Sequence, residues 1–356
     1  MHRSAPGIAA RRLVALASLL SLPLLGACAS GGARASAPSR QVDVARYGRL
    51  LAMADERRVD TALIQTILRS GSAPERAAAA LAVGQVNASV LAPTLRALLA
   101  DRDTTVAANA AYALGLLADS GSVAALSRAL TAAPRVGRDA AWALGQIGEP
   151  ARATIVSALA AVAPPLTPRV RGALLLATFA LKPVPIEAIR PSLADARAFV
   201  RWSAAYAIAR PYAAAGVRAL VPLAADSSAE VRAQVARGLS HRAAGDSLAA
   251  LVRAPLAALA TDPSPHVRIN ALHSLATYGS ASKPLIVAAT HDADANVRVT
   301  AAQELGAVLD NSRAAWMTAW KADTGFMYRR SLLASALSQD VVLPAAEFDE
   351  PDSWAH

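Results

Sequence analysis

The fold is decided by the stretch Val297-Arg298-Val299-Thr300-Ala301-Ala302-Gln303-Glu304-Leu305-Gly306, because its pattern is repeated at least eight times along the chain. The first position of each copy is occupied by Glu75, Val106, Val136, Val170, Val200, Val231, Val267 and Val297. Successive copies are 30 to 36 residues apart, and a ninth, weaker copy begins at Tyr328. A unit of this length cannot bury its own apolar face, so the period predicts a stack of similar units.

Each copy predicts an amphipathic α-helix, called helix B here. Its apolar residues stand at positions one, five, eight and nine, as in Val106, Ala110, Ala113 and Leu114, and at helical spacing these positions lie on one side. A second apolar stretch, helix A, precedes each copy. Asp, Pro and Ser occupy the turns between the two helices and favour the ends and caps of helices. The sequence therefore predicts an all-α fold.

The repeated residues also resemble a known family. An aspartate, a Val-Arg pair five residues later and a final Leu-Gly, as in Asp292, Val297-Arg298 and Leu305-Gly306, are similar to the HEAT repeat, in the short form of phycobilin lyase-like proteins. The resemblance covers roughly residues 59–337. It implies a right-handed α-solenoid of about nine HEAT-like helix pairs, in which helix B lines the concave side and helix A the convex side.

Two rows of charged residues accompany the resemblance. The family's aspartate is matched by Asp101, Asp195, Asp226, Asp262, Asp292 and Asp323, and its arginine by Arg76, Arg171, Arg201, Arg232, Arg268, Arg298 and Arg329. Ala107 and Gly137 depart from the arginine row. Since these residues recur with the repeat, we predict that they hydrogen-bond between neighbouring units and take no part in catalysis.

The N-terminus predicts export and lipid attachment. Arginines and no acid precede an apolar run at 13–25, which is too short to span a bilayer and is typical of a secretory signal. Leu25-Gly26-Ala27-Cys28 resembles the lipobox of bacterial lipoproteins, which implies cleavage before Cys28 and acylation of that cysteine; an ordinary signal with an incidental cysteine is the alternative. Ala29 permits transfer to the outer membrane, so we expect a lipid-anchored protein of the cell envelope that faces the periplasm.

These features divide the chain into four parts. Residues 1–27 are the predicted lipoprotein signal peptide, and residues 28–41 hold the lipidated cysteine and a Gly-, Ala- and Ser-rich tether. Residues 42–340 form the predicted solenoid, and residues 341–356 an acidic C-terminal tail. No second hydrophobic span is evident, so the part after Cys28 is expected in the aqueous phase. The net charge is +10, and part of it comes from arginines that recur with the repeat. In an exported protein this charge favours acidic or membrane partners over nucleic acid.

The concave side of helix B predicts the binding site. Positions three and seven lie opposite the core positions and are expected to face the hollow of the solenoid. They carry aromatic, basic and histidine side chains, which suit the anchoring of a protein or peptide. The predicted partner-binding residues are Tyr112, Arg138, Trp142, Trp202, Tyr206, Arg237 and His273. Binding of a polysaccharide on the same rings is an alternative, as is mutual packing of the rings inside a tightly curved array.

Three other features have structural interpretations. Trp316 and Trp320, four residues apart in the last helix A, are predicted to pack against the end of the array. The two longest intervals contain residues 163–168 and 241–246. We interpret both insertions as kinks that change the curvature, because proline-rich turns simply end helices; loops of a binding site are the alternative.

The sequence offers no pattern for catalysis. The histidines are dispersed along the sequence, and metal-ligand spacings, phosphate loops and nucleophile elbows are missing. We therefore predict a protein without enzymatic activity, cofactor or metal: a lipid-anchored envelope scaffold that binds a protein or peptide on its concave face. The alternative is the non-catalytic scaffold part of an envelope enzyme, since such arrays are similar to those that precede cyclophilin-type prolyl isomerase domains in some bacteria.

Overall fold

The structure, a computed structural model, describes residues 42–56, 60–161 and 165–343. Within these ranges the chain is helical and contains no strand. The helices, α1 to α19 in chain order, are Val44–Glu56, Thr61–Ser70, Ala73–Gln85, Ala92–Leu98, Thr104–Leu116, Val123–Ala129, Pro134–Ile147, Arg152–Ala160, Pro168–Ala177, Ile186–Ile189, Ala198–Ala209, Ala214–Leu220, Ala229–Gly238, His241–Ala260, Pro265–Ala276, Lys283–Ala289, Ala295–Glu304, Arg313–Trp320 and Phe326–Leu337.

The helices form nine successive pairs, as the period predicts. Helix A and helix B of the first pair are α2 and α3, those of the last pair are α18 and α19, and α1 packs against α3 ahead of them. Every B helix contacts the next B helix along the chain, whereas the A helices contact one another less extensively. A stack curves toward its more closely packed row. Helix B therefore lies on the concave side, and the α-solenoid expected from the sequence is confirmed.

Small residues allow the B helices to approach closely. The tenth position of three successive repeats is a glycine, and at Gly115 an added Cβ would lie 2.8 Å from the Cα of Ala143. At Gly145 the same atom would lie 3.0 Å from the Cα of Ala177. No larger side chain fits at such a distance without displacing a helix. The Ala-rich composition is thus a consequence of close packing between repeats.

The predicted core positions are buried. In the second repeat the core positions are fully inaccessible to solvent: Val106, Ala110, Ala113 and Leu114. Most of the corresponding residues of later repeats are buried too. Side chains of the turns cap the helices as expected: Asp103 accepts hydrogen bonds from the first backbone amides of α5. Burial of one apolar stripe per helix, at about 25 cal/mol per Å², is what stabilises such an array.

The charged rows connect neighbouring repeats. Arg201 donates from Nε and Nη2 to the carboxylate of Asp226 at 2.7 and 2.8 Å. The next arginine, Arg232, donates from Nη1 to the backbone carbonyl of Asp226 at 2.7 Å and from its other nitrogens to Asp262. Arg268 and Arg298 repeat this arrangement as far as Asp323. We call this continuous series, Arg201 to Asp323, the Asp–Arg ladder; Arg76 and Asp101 form an isolated rung of the same kind.

Two members of the predicted rows have other partners. Arg171 donates to the carbonyl of Leu159 and lies 3.5 Å from the hydroxyl of Ser192, so it does not pair with Asp195. Asp195 instead accepts from the backbone amide of Arg197. Its carboxylate also lies 3.6 Å from Nη1 of Arg197. Arg329, at the end of the arginine row, stacks on the ring of Trp320.

The last pair closes the end of the described array. Trp316 is fully buried and donates from its indole nitrogen to the carbonyl of Asp310 at 2.9 Å. Trp320 is buried beside it, and the hydroxyl of Tyr328 donates to the carbonyl of Ala319. The interpretation of Trp316 and Trp320 as packing residues is confirmed.

The longest of the described helices is α14, with 20 residues. Among the described residues it is the one helix that could cross a membrane on length and composition alone. Its backbone is broken at Gly245 (φ 57°, ψ −174°), and it contains Pro255. Its buried residues pack into the solenoid: Ala243, Ala244, Leu248, Val252, Leu256 and Leu259. We therefore describe α14 as a core helix of the array.

Candidate binding surface on the concave face

Position seven of helix B is accessible throughout the array, as the sequence predicts. Tyr112, Arg237, His273 and Gln303 are exposed there, and the other members of the row are half-buried: Leu81, Trp142, Leu176 and Tyr206. Each of these side chains projects from a B helix, on the concave side. On the concave side, this row is therefore accessible to a partner.

Position three is open in only half of the repeats. Arg138 is exposed and Trp202 is half-buried, but Ala77, Ala108, Gly172 and Ala233 are buried. The expectation that the whole position faces the hollow was therefore wrong. The physical reason is the close approach of successive B helices, which encloses position three between neighbours wherever the residue is small. Position four is likewise used by the scaffold: the amide of Asn109 donates to the carbonyl of Ala77 on the preceding B helix.

Two repeats bring their aromatic residues face to face. The rings of Tyr112 on α5 and Trp142 on α7 stack with centroids 4.4 Å apart and planes inclined by 19°. The indole also lies against Gly115, where an added Cβ would be 2.5 Å from a ring carbon. One face of Trp142 is thus covered by Tyr112, and its edge is fixed by the scaffold. A ring held in this way loses little conformational entropy when it binds a partner.

A second aromatic group lies on α11. Trp202 stacks with Phe199 at 6.3 Å and with Tyr206 at 5.4 Å between ring centroids. Arg210 places its guanidinium 5.2 Å from the centre of the Tyr206 ring and 5.7 Å from that of Phe179. These distances are in the range of cation–π attraction. Arg210 therefore connects the rings of α11 to the preceding repeat.

A groove extends from the first aromatic group to Phe179, which meets the second group through Arg210. It has a volume of about 410 Å³ and includes Tyr112, Arg138, Trp142, Leu176 and Phe179 in its lining. We call the continuous surface from Tyr112 to Arg210 the aromatic strip. Its members are Tyr112, Trp142, Phe179, Phe199, Trp202, Tyr206 and Arg210, and it spans the four B helices α5, α7, α9 and α11. Four of them were predicted from the sequence: Tyr112, Trp142, Trp202 and Tyr206.

Phe179, Phe199 and Arg210 were missed. Phe179 is 47% exposed and stands at position ten, where the three preceding repeats carry Gly84, Gly115 and Gly145. That replacement of glycine by an aromatic residue was a signal in the sequence. Phe199 stands one residue before its repeat begins and has no counterpart in the pattern. Its ring lies over Gly172, where a Cβ would be 2.5 Å away, so only the tertiary packing identifies it.

The charged residues of the predicted site are distributed along the strip and beyond it. Arg138 pairs with its neighbour Asp139 at 2.8 Å beside the groove, so the groove offers both signs of charge. Arg237 is exposed on α13, and Nδ1 of His273 lies 2.7 Å from a carboxylate oxygen of Glu304. Neither Arg237 nor His273 stacks on an aromatic ring of the described residues. They continue the position-seven row past the aromatic strip.

Metal binding and lipidation, the two other kinds of site considered from the sequence, do not involve the described residues in any cluster of ligands or at the predicted cysteine. No group of three or more His, Cys, Asp or Glu side chains there is arranged to hold a metal ion. The predicted lipidation residue, Cys28, lies outside the described residues. So do the signal peptide and tether of residues 1–41 and most of the acidic tail.

The sequence comparison agrees with the geometry. The family described as HEAT repeats matches residues 61–134 and 252–338. These two segments are HEAT repeats. The matched segments include the first repeats and the last three helix pairs, and the intervening pairs continue the same stack, so the fold predicted from the resemblance is confirmed. No protein in the curated set of sequences matches the chain.

Solved structures with similar folds are helical repeat proteins. The Escherichia coli protein YibA superimposes with a TM-score of 0.50 at 16% identity, over 77% of this chain and 99% of that one. An engineered protein gives a TM-score of 0.45 at 18% identity, over 82% and 94% of the two chains. The complex of CpcE and CpcF of phycocyanin lyase from Nostoc gives 0.38 at 20% identity, over 71% and 96%. At these identities the similarity concerns the fold alone.

Proposed function

We propose that this HEAT-repeat chain is a lipid-anchored scaffold of the cell envelope that binds an extended protein or peptide segment along the aromatic strip. The proposal is for binding without catalysis. It has two separable parts, the use of the concave surface and the attachment to a membrane, and each part has its own support and its own test.

The observation that carries the first part is the continuity of the aromatic strip. The scaffold requires only small residues where B helices meet, yet four successive repeats place six aromatic rings and an arginine there. These side chains form two contacting groups, and the groove lined by Trp142 and Phe179 lies between the groups. Tyr112 and Phe179 are 38% and 47% exposed. Large aromatic and arginine side chains supply most of the binding energy at protein interfaces. An accessible row of them marks an interaction surface.

The dimensions of the strip favour an extended segment. Packed helices lie about 8–10 Å apart, so the four B helices of the strip span about 24–30 Å. An extended chain rises about 3.3 Å per residue, which corresponds to about seven to nine residues. Stacking of Tyr112 on Trp142 covers one face of each ring, and this reduces the surface on which a sugar ring could stack. The groove beside the stacked pair suits side chains of a peptide.

Photocrosslinking tests the first part. A photoreactive amino acid is placed at Leu176, in the groove, or at Leu251, an exposed residue of α14 that does not belong to the strip. Peptide segments mapped from envelope extract should attach at position 176 and not at 251. The double variant Tyr112→Ser/Phe179→Ser should lose this attachment, while Val90→Ser/Leu251→Ser should keep it. Equal crosslinking at both positions, or no loss in the strip variant, contradicts the proposal.

Support for the second part comes from Leu25-Gly26-Ala27-Cys28 and the charged and apolar segments before it. Multiple acyl chains on one residue hold a protein on a bilayer, whereas a single chain does so only marginally. Mass spectrometry of the protein from a two-membrane bacterium should show a mature N-terminus at Cys28 that carries acyl groups, and Cys28→Ala should leave the membrane fraction. An unmodified Cys28 in the mature protein would refute the anchor without affecting the aromatic strip.

A further inference from the structure

The insertion at residues 241–246 forms one wall of a separate cleft. This cleft has a volume of about 320 Å³, within the lower range of sites for small ligands. It belongs to α14, the end of α15 and the start of α16, away from the residues of the aromatic strip. Its lining consists of His241, Asp246, Ala249, Val252, Arg253, Leu256, Leu275, Thr277, Tyr278, Ala281, Ser282 and Leu285. We call it the insertion cleft.

The insertion creates the cleft through its backbone. Gly245 has φ 57°, a left-handed value, and there the helix direction changes. The part of α14 after it is long and presents Ala249, Val252, Arg253 and Leu256 at spacings of three and four residues, which is one helical face. Leu275, Tyr278 and Leu285 of the following repeat form the opposite wall. The extra residues of the 36-residue interval thus build a concave, mainly apolar site.

Hydrogen bonds fix the mouth of the insertion cleft. The backbone amide of His241 donates to the hydroxyl of Thr277 at 2.8 Å, and the hydroxyl of Tyr278 donates to the carbonyl of Leu239 at 2.7 Å. The rings of His241 and Tyr278 meet edge to face at 5.3 Å. Burial raises the pKa of Tyr278 to about 12, so its hydroxyl remains a donor at neutral pH. Both walls are therefore held together across a repeat boundary.

One charged side chain in this cleft has no partner among the described residues. Arg253 is exposed and stands on the apolar face between Val252 and Leu256. By contrast, Arg268 and Arg298 on the neighbouring B helices are held in the Asp–Arg ladder. The acid of the cleft, Asp246, lies 3.0 Å from Nε2 of His241 and is seven residues, or about 10 Å, along the helix from Arg253. The apolar walls and the unpaired guanidinium are complementary to an apolar body with one anionic group.

We propose that the insertion cleft binds a small amphipathic carboxylate, with its apolar part between Val252, Leu256, Leu275 and Leu285 and its carboxylate on Arg253. Each part of the site fits one part of such a ligand. The apolar walls remove its alkyl surface from water, and the guanidinium donates two parallel hydrogen bonds to its carboxylate. The site goes beyond the proposed function, since it uses neither the concave strip nor the lipid anchor.

Titration calorimetry with octanoate on the full mature chain tests this assignment. Octanoate should bind, and octanol, which has the same apolar body without the charge, should bind about tenfold more weakly or worse. Arg253→Gln should weaken octanoate binding about tenfold and leave octanol binding unchanged. Ala281→Phe, which fills the cleft from a turn, should weaken both ligands. The matched control is Arg313→Gln, an exposed arginine of α18 without a described partner, and it should change neither.

Three results would overturn the assignment: no measurable heat with octanoate at millimolar concentration, equal affinity for octanoate and octanol, or an Arg253→Gln variant that binds octanoate like the unmodified chain. Circular dichroism of each variant verifies that the fold is kept. Since Arg253 and Ala281 do not contribute to the aromatic strip, failure here leaves the photocrosslinking result intact, and the reverse also holds.

Discussion

Arg232 on α13 and Asp262 in the turn before α15 form a two-pronged ion pair across a repeat boundary, with Nε–Oδ2 and Nη2–Oδ1 distances of 2.6 and 2.9 Å. Asp262 also accepts from the backbone amide of Ser264 at 2.8 Å. The pair therefore fixes the turn of one repeat to the helix of the preceding one. A bidentate pair of this kind is stronger than a flexible surface pair, because its geometry is set by the scaffold.

Removing one rung of the Asp–Arg ladder should destabilise the array. Arg232→Gln leaves the partly buried carboxylate of Asp262 without its partner, which should cost about 2–3 kcal/mol of unfolding free energy. Urea denaturation followed by circular dichroism measures the change. Arg313→Gln, an exposed arginine outside the ladder, should change stability by less than about 0.5 kcal/mol. Equal stability of the two variants would show that the ladder is dispensable.

The ladder also predicts a dependence of stability on acid. Hydrogen bonds from Arg201 lower the pKa of Asp226, against the opposing effect of burial. A carboxylate with a lowered folded-state pKa contributes its full stability above the unfolded value of about 3.9, and that contribution is lost as pH falls below it. The melting temperature should therefore be insensitive to this group between pH 5 and 8 and fall steeply below about pH 4. The Asp226→Asn variant should have a lower melting temperature at pH 7, and its melting temperature should fall less steeply as the pH is lowered below 4. If the melting temperature of the variant falls as steeply as that of the unmodified chain, other groups cause the acid dependence.

The glycines of helix B should be sensitive to small additions. Gly115→Ala would place a Cβ 2.5 Å from the ring of Trp142 and 2.8 Å from the Cα of Ala143, and we expect a loss of about 1–3 kcal/mol. The displaced indole should show a changed tryptophan emission. Gly48→Ala in α1 is the matched control: no atom lies within 4 Å of its added Cβ, so it should stabilise α1 by up to about 1 kcal/mol.

The last helix pair should unfold locally when its buried tryptophan is shortened. Trp316→Ala removes a fully buried side chain, with an expected cost of about 3–5 kcal/mol. Hydrogen exchange should show lost protection in α18 and α19 first, since each repeat is stabilised mainly by its neighbours. Leu337→Ala, at a residue that is 63% exposed, should leave protection unchanged. Uniform loss of protection along the chain would show that the array unfolds as one unit.

The repeat itself was accessible from sequence because it is a local pattern written many times. Val297 and its counterparts identify the core stripe, and helical spacing alone then places position seven on the opposite side. Tyr112, Trp142 and Tyr206 were found in this way. Position three could not be judged by the same rule, because its exposure depends on how closely the next B helix approaches. Ala233 is enclosed by that neighbour, and Arg138 is not.

The charged rows illustrate the same distinction. Their recurrence predicted contacts between repeats, and the pairs of Arg201, Arg232, Arg268 and Arg298 confirm it. Arg171 carries the same sequence signal but donates to the carbonyl of Leu159, and the carboxylate of Asp195 lies beside Arg197. Residue type alone does not distinguish these partners, because the choice depends on how neighbouring repeats are placed.

The sequence by itself determined that the chain forms helices, that the helices come in pairs, and which side of each helix B is buried, since these depend on residue spacing within a few turns. Tertiary structure decided which accessible rings touch. Phe179 and Arg210 meet only because α9 and α11 lie side by side, and Arg253 faces an apolar cleft only because Gly245 redirects α14. Contacts between residues of different repeats depend on the distance and angle at which whole helices meet, and that geometry results from the sum of many small packing interactions.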